Sequence, residues 1–191
     1  DLAFAQASAL VSRLARLTPK GQRYAMANRT EGSAYEVPTR WAADRAIAVA
    51  AHSHAVARAR DLCGAALGYV VPDLMSFGLL APAKQGPGAT NIVALAHGTS
   101  RTDKQWPTEN WIALGRRLHE AGYHVALPHG NDLEEQRGRE IAASIKDAVV
   151  WPRLGLDALT DRLAVCAGVV GVDTGVSHMA TALDLPHVQI Y

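Results

Sequence analysis

The chain has 191 residues, of which 49% are hydrophobic and 19% charged, a composition typical of an ordinary globular protein with one or two domains. It contains no run of about 18 apolar residues, so no membrane span is predicted. The formal net charge is +1, but residues 1–90 carry ten Lys/Arg and six Asp/Glu (+4), whereas residues 91–191 carry nine and twelve (−3). A basic first half would suit an acidic partner, although an ordinary scatter of surface charge explains it equally well.

Neither end of the sequence resembles a natural terminus. Residues 1–6 include no initiator Met and no basic segment ahead of an apolar core, and residues 187–191 have the pattern of a strand that stops with the chain. We therefore expect a fragment of a longer protein.

Apolar periodicity divides the first 80 residues into short elements. The longest is an amphipathic helix over 53–67, with Val56 and Leu62 facing inward. Its arginines, Arg58 and Arg60, are either surface charges or contacts to an acceptor molecule. The predicted elements in chain order are a helix over 7–17, a short strand over 23–26, a loop over 27–40, an Ala-rich, helix-prone stretch over 42–51 and the helix over 53–67.

The two cysteines, Cys63 and Cys166, lie among apolar residues with helical spacing. This pattern predicts two buried side chains that act as small hydrophobic groups. Since neither a CxxC motif nor a Cys/His cluster occurs, no metal site is predicted.

A Pro/Gly-rich stretch over 81–90 is the best candidate for a domain boundary. It predicts a partial amino-terminal domain over 1–80 and a second domain over 91–191. Its Gly-Pro-Gly is not a phosphate loop, because no Gly-Lys-Ser/Thr follows it.

The second half alternates regularly between short apolar strands and amphipathic helices. This alternation predicts βαβ units and a parallel sheet, so the expected fold class is α/β. Strands are predicted over 91–97, 124–127, 148–151, 169–172 and 188–191, and helices over 108–121, 132–145, 155–167 and from 174 onward.

The turns that follow the strands of such a sheet meet at one edge, where ligands bind. The most informative turn contains Asp173, which ends a buried strand, and Thr174 and Gly175, which begin a helix. Free N–H groups at a helix start favour an anion, commonly a phosphate. His178 lies one helical turn further on, so it can face the same way.

Two other turns add polar groups to this edge. The turn after the first strand of the second half supplies Gly98 for close approach of the backbone, the hydroxyls of Thr99 and Ser100, and Lys104. These donors suit a diphosphate, although a long surface loop would also hold a share of polar residues. After the second strand, Glu134 either complements the helix dipole or accepts hydrogen bonds from a ribose diol.

Two familiar enzyme classes do not fit these turns. An Asp-Thr-Gly sequence is also found in aspartic proteases, but here it occurs once and in an α/β context. A nicotinamide dehydrogenase needs Gly-x-Gly-x-x-Gly after its first strand, whereas this strand is followed by His97-Gly-Thr-Ser-Arg.

Three segments, in this order and spacing, resemble the lipopolysaccharide heptosyltransferases of glycosyltransferase family 9. The first resembles most closely the branch that adds the first heptose of the inner core. The segments are His97-Gly-Thr-Ser-Arg-Thr-Asp-Lys-Gln-Trp-Pro107 with Trp111, Leu127-Pro-His-Gly130 with Glu134-Glu-Gln-Arg137, and Val172-Asp-Thr-Gly-Val-Ser-His178.

The resemblance implies a GT-B fold, in which a carboxyl-terminal Rossmann-like domain holds the donor and an amino-terminal one holds the acceptor. It implies an inverting transfer, without metal or cofactor, from ADP-L-glycero-β-D-manno-heptose to a Kdo residue on lipid A. The enzyme would be cytoplasmic and peripheral on the inner membrane, with no nucleic-acid partner.

The resemblance also assigns roles to individual residues. Thr99, Ser100 and Lys104 would contact the diphosphate, and Lys104 would neutralise charge on the departing ADP. The remaining contacts would be Glu134 to the ribose, Leu154 to the adenine, Asp173 to heptose hydroxyls, and Thr174, Gly175 and His178 to the phosphates.

The family's general base is expected in an amino-terminal strand and glycine turn that this sequence lacks, so the fragment alone is expected to be inactive. Two alternatives stay open at this point. One is a type II or III heptosyltransferase with another acceptor, and the other is a non-catalytic nucleotide-binding module.

Overall fold

A computed structural model describes residues 22–31, 40, 43–74, 76–79, 90–99 and 101–191. These residues fall into two compact units that divide after Leu74. The predicted helix over 7–17 and nearly all of the predicted linker over 81–90 lie outside the described residues, so both stay predictions. Within the described ranges, no helix has the length and apolarity needed to cross a bilayer.

Among its described residues, the first unit has two paired parallel strands and a long helix. Strand β1 (Tyr24–Met26) pairs with β2 (Arg45–Ile47), and helix α1 spans Ala55–Leu67. The side chain of His54 caps the start of α1, and Gly68, with φ of 74°, ends it in the left-handed region. The strand predicted over 23–26 and the helix predicted over 53–67 are therefore confirmed.

The predicted helix over 42–51 is wrong, because this stretch contains strand β2. The Asp44 carboxylate accepts a hydrogen bond from the Arg23 guanidinium at 2.8 Å, and the N–H of Arg45 bonds to the carbonyl of Arg23. Pairing with β1 thus overrides the helix preference of alanine, which is worth less than about 1 kcal/mol per residue.

In the part of the second unit that the structure describes, a parallel sheet of five strands packs with four α-helices. The strand order is β5-β4-β3-β6-β7, and all neighbouring pairs are parallel. The strands are β3 (Ile92–Ala96), β4 (His124–Leu127), β5 (Val149–Val150), β6 (Gly168–Val172) and β7 (His187–Ile190). The helices are α2 (Thr108–Glu120), α3 (Asp132–Ala142), α4 (Leu156–Ala164) and α5 (Gly175–Ala182). Every element predicted for this half is confirmed, with ends that differ by a few residues.

Alternation along β3 places one core on each face of this sheet. Ala94 and Ala96 pack with Leu163 and Cys166, whereas Val93 and Leu95 pack around Trp111 on the other face. From β3 the chain continues to β4 and β5 on one side of the sheet. It then returns to the other side of β3 as β6 and continues to β7, so the strand order reverses at β3. Such a reversal opens a crevice at the carboxyl ends of the strands.

The prediction of two buried cysteines holds for Cys166 and is wrong for Cys63. Burial raises the pKa of the Cys166 thiol to about 11. Cys63 is exposed, because α1 turns its neighbour Gly64 inward instead. A Cβ on Gly64 would lie 2.6 Å from the Cγ2 of Val71, so this close approach sets which face is buried.

Candidate functional site

The crevice beside β3 brings two polar turns into contact. Ala96 of β3 pairs with Gly171 of β6, so the turns after these strands leave the sheet side by side. The hydroxyl of Thr99 donates to the backbone carbonyl of Asp173 at 3.3 Å and joins the two turns. Ser100, which was also predicted here, lies outside the described residues.

Asp173 is the centre of the polar cluster. Its carboxylate forms an ion pair with the Lys104 ammonium, accepts a bond from the Gln189 amide at 3.4 Å, and lies 3.6 Å from His178 Nε2. The hydrogen bond from Lys104 is the main cause that holds the pKa of Asp173 below its ordinary value. The carboxylate is therefore ionised at neutral pH, and its side chain remains 26% exposed to ligands.

Glu134 lies at the start of α3 and is held by two hydrogen bonds. Its N–H donates to the capping side chain of Asn131 at 2.9 Å, and its carboxylate accepts from the N–H of Gly130 at 2.7 Å. Gly98 leaves room for this carboxylate, since a Cβ there would be 2.5 Å from Glu134 Cδ. The carboxylate is therefore placed by backbone groups and points towards the turn after β3.

A cavity of about 290 Å³ lies at this edge of the sheet. It is lined by residues from the turns after β3, β4 and β6 and from the start of α4. Four of the predicted site residues line it, namely Glu134, Leu154, Thr174 and Gly175. Its wall also includes Gly98, which directly precedes Thr99, so the cavity and the Asp173 cluster are adjacent.

The structure thus brings the described members of the predicted set together in two touching groups. Thr99, Lys104 and His178 contact Asp173, and the other four line the cavity. A larger hollow of about 630 Å³ between α3 and β5 contains none of the predicted residues. The larger hollow and the predicted site are therefore separate places in the second unit.

The start of α5 has features that favour an anion. Thr174 caps this helix without a side-chain bond to its N–H groups, and Gly175 follows with open space at its Cβ position. Free N–H groups at a helix start, with Lys104 and His178 close by, favour phosphate oxygens. Among the described residues, no group of three or more His, Cys, Asp or Glu side chains is arranged to hold a metal ion.

Sequence reasoning assigned no role to two side chains behind the site, His97 and Arg137. His97 is fully buried, and burial lowers its pKa so that the ring is neutral at pH 7. Arg137 donates to the backbone carbonyl of Trp106 and to Thr108 Oγ1. The spacing of Arg137, three residues after Glu134 on one helix, was the signal that could have found it.

Comparison with known proteins gives the family. The model of glycosyltransferase family 9 (heptosyltransferase) matches residues 4–191. The chain belongs to glycosyltransferase family 9. The family membership expected from the three sequence segments is therefore confirmed.

Relatives in family 9 are similar over most of the chain. Lipopolysaccharide heptosyltransferase 1 of Pseudomonas aeruginosa (strain PAO1) is 41% identical over 152 residues, which are 77% of this chain and 42% of that protein. Lipopolysaccharide heptosyltransferase 1 of Escherichia coli (strain K12) is 32% identical over 189 residues, or 97% of this chain and 57% of that protein. The chain thus spans about half the length of the relatives it matches.

A solved family 9 structure supports the fold class. The structure of E. coli heptosyltransferase WaaC with ADP-2-deoxy-2-fluoro heptose matches with a TM-score of 0.79 and 31% identity, and covers 98% of this chain and 58% of WaaC. The α/β fold of the GT-B type, which the sequence resemblance implied, is confirmed by this match.

Proposed function

We propose that the protein containing this chain transfers L-glycero-D-manno-heptose from ADP-heptose to the inner core of lipopolysaccharide. The observation that carries the proposal is the Asp173 cluster beside the cavity: cations, hydroxyls and a helix start adjoin a pocket with an apolar wall. This combination suits a nucleoside diphosphate sugar. Relatives named as lipopolysaccharide heptosyltransferase 1, and a WaaC structure with an ADP-heptose analogue, support the choice of sugar and nucleotide.

In the proposed complex, the donor lies along the carboxyl edge of the sheet. The adenine packs on Leu154, and the ribose hydroxyls donate hydrogen bonds to the carboxylate oxygens of Glu134. The diphosphate is held by Thr99, Ser100 and Lys104 on one side, and by Thr174, Gly175 and His178 at the start of α5 on the other. Asp173 accepts hydrogen bonds from the heptose hydroxyls.

The proposed reaction is an inverting displacement without a metal ion. A hydroxyl of the acceptor attacks the anomeric carbon of the heptose, the bond from that carbon to the β-phosphate oxygen breaks, and ADP departs with the electron pair. Lys104 neutralises the negative charge that grows on the departing phosphate, which is an electrostatic stabilisation of the transition state. The hydroxyl proton passes to a general base that we expect outside this chain.

The proposed acceptor is a Kdo residue on lipid A, and the proposed location is the cytoplasm, peripheral on the inner membrane. Kdo and lipid A phosphates are anionic, so the excess of Lys and Arg in residues 1–90 supports an acceptor of this charge. Family membership supports the same choice.

The full-length gene product, incubated with ADP-heptose and Kdo-lipid A, should add one heptose, as measured by mass spectrometry of the lipid. The Lys104→Ala variant should bind donor but turn over more slowly, because its main effect is on the departing ADP. If heptose were transferred only to an acceptor that already carries heptose, the proposed Kdo acceptor would be wrong. The protein would then be a transferase that acts later in core assembly. Nucleotide binding without transfer to either acceptor would contradict the enzyme and favour a binding module.

A further inference from the structure

We propose that Arg137 is a positioning residue that fixes the distance between the ribose end and the diphosphate end of the donor site. The inference rests on the proposed function, since it concerns how the same ADP-sugar is held. Arg137 does not line the cavity, and among described contacts it bonds only to backbone and a hydroxyl behind the site. Its effect on the ligand must therefore pass through other residues.

Helix α3 and the turn after β3 are joined by two contacts, one made by a side chain of the turn and one made by a side chain of the helix. From the turn, the buried ring of His97 lies with Nε2 3.0 Å from the backbone carbonyl of Glu134. Gly138 admits this ring, because a Cβ there would be 3.3 Å from His97 Cε1. From the helix, Arg137 reaches back to the backbone carbonyl of His97 at 3.5 Å.

Arg137 also contacts the far end of the same turn. Its guanidinium also donates to the carbonyl of Trp106 and, at 3.4 Å, to Thr108 Oγ1. The described residues between these anchors, 98–99 and 101–105, include Thr99 and Lys104. One planar side chain therefore ties both ends of the diphosphate-binding turn to the helix that presents Glu134. A lysine could not replace it, since an ammonium lacks the fork of donors that reaches several acceptors at once.

The consequence for binding is specific to a ligand that spans both ends. ADP needs Glu134 and Lys104 at one fixed spacing, whereas adenosine uses only the ribose side and pyrophosphate only the phosphate side. Fixing that spacing in advance removes an ordering cost from ADP binding alone. A loss of this link should therefore weaken ADP and spare its two halves.

The test compares the Arg137→Met and Arg137→Lys variants of the full-length gene product with Arg139→Met. Arg139 is a suitable control because it lies two residues further on α3 and pairs with Glu135 at the surface. Isothermal titration with ADP, adenosine and pyrophosphate should show ADP binding weakened about tenfold in both Arg137 variants, and each half-ligand changed less than about twofold. Circular dichroism checks folding, and the lysine variant serves if the methionine variant does not fold.

If the Arg137 variants lost affinity equally for all three ligands, or lost none for ADP, the inference would be overturned. Binding of ADP by the wild type would still support the proposed donor in that case. A comparable loss in Arg139→Met would also overturn it, because the effect would then belong to the helix surface. Absence of ADP binding by the wild type would overturn the proposed function and this inference together.

Discussion

Side chains from three separate elements of the chain lie next to the Asp173 carboxylate. Lys104 comes from the turn after β3, His178 from α5 and Gln189 from β7, and all three side chains lie within 3.6 Å of the carboxylate. The ammonium and the imidazole both stabilise its negative charge. In the proposed complex Lys104 turns towards the diphosphate, which leaves the carboxylate oxygens free for sugar hydroxyls.

The Lys104→Met variant should raise the pKa of Asp173 towards the ordinary value of about 3.9. The reason is that the Lys104 hydrogen bond is the main cause of the low pKa. A titration followed by carboxyl ¹³C NMR measures the change. Arg101→Met is the matched control, because Arg101 contributes least to the shift and pairs with Asp103, so its effect should be smaller. An unchanged pKa in Lys104→Met would contradict the ion pair.

The same shift fixes the sign of a pH effect on stability. Because the pKa of Asp173 is lower in the folded chain than in the unfolded one, the ion pair stabilises the fold at pH values above about 3.9. That contribution is lost as the pH falls through the folded-state pKa. The contribution is small, since both side chains are partly exposed and screened by solvent.

Each site residue predicted from the sequence comes after a strand of the second half, and the sequence pattern is enough to locate those strands. Asp173, Lys104 and Glu134 were grouped from the order of strands and turns, and the described members do lie together. The sequence did not assign Gln189 or His97 to the site. Each lies at or near the end of a strand, and the strand order decides which residues are its neighbours. Strand order is a tertiary property, so local patterns do not reveal which side chains face Asp173.

Strand β6 shows how an element of the sheet carries the site. Gly171 has no side chain, and Ser177 of α5 packs directly over it, donating from its hydroxyl to the carbonyl of Val172 at 2.7 Å. A Cβ on Gly171 would lie 2.3 Å from Ser177 Oγ and 3.0 Å from the Cβ of Ala96. The close approach of α5 to the sheet, which aims its first turn at the crevice, depends on this glycine.

The Gly171→Ala variant should lower the free energy of unfolding by about 1–3 kcal/mol, because the added methyl overpacks the contact between β6 and α5. Urea denaturation measures the difference. Gly155→Ala is the control, since its Cβ would meet no atom within 4 Å and its φ is −70°. If Gly171→Ala unfolded at the same urea concentration as the wild type, the packing of α5 described above would be wrong.

The two halves of the chain differ in how far sequence determines their elements. In residues 91–191 apolar strands alternate with amphipathic helices, and each segment is long enough for its periodicity to identify it as a strand or a helix. In the first unit the strands β1 and β2 have three residues each, so pairing between them, rather than local pattern, decides their structure. The failed helix over 42–51 and the exposed Cys63 both belong to this unit.

On the scale of the whole molecule, the chain divides into two compact units after Leu74, and its formal charge is +4 over residues 1–90 and −3 over residues 91–191. The donor residues proposed here all belong to the second unit. The excess positive charge belongs to residues 1–90, which supports a role for that half in holding an anionic acceptor.

The central claim is that the strand-end turns of the second unit bind an ADP-sugar, and calorimetric titration of ADP-heptose tests it most directly. We expect one molecule bound per chain, with ADP-heptose binding more tightly than ADP, and we expect Asp173→Asn to remove that difference while it preserves ADP binding. A folded sample that binds neither ligand would contradict the account, as would an Asp173→Asn variant that retains the full preference for the sugar.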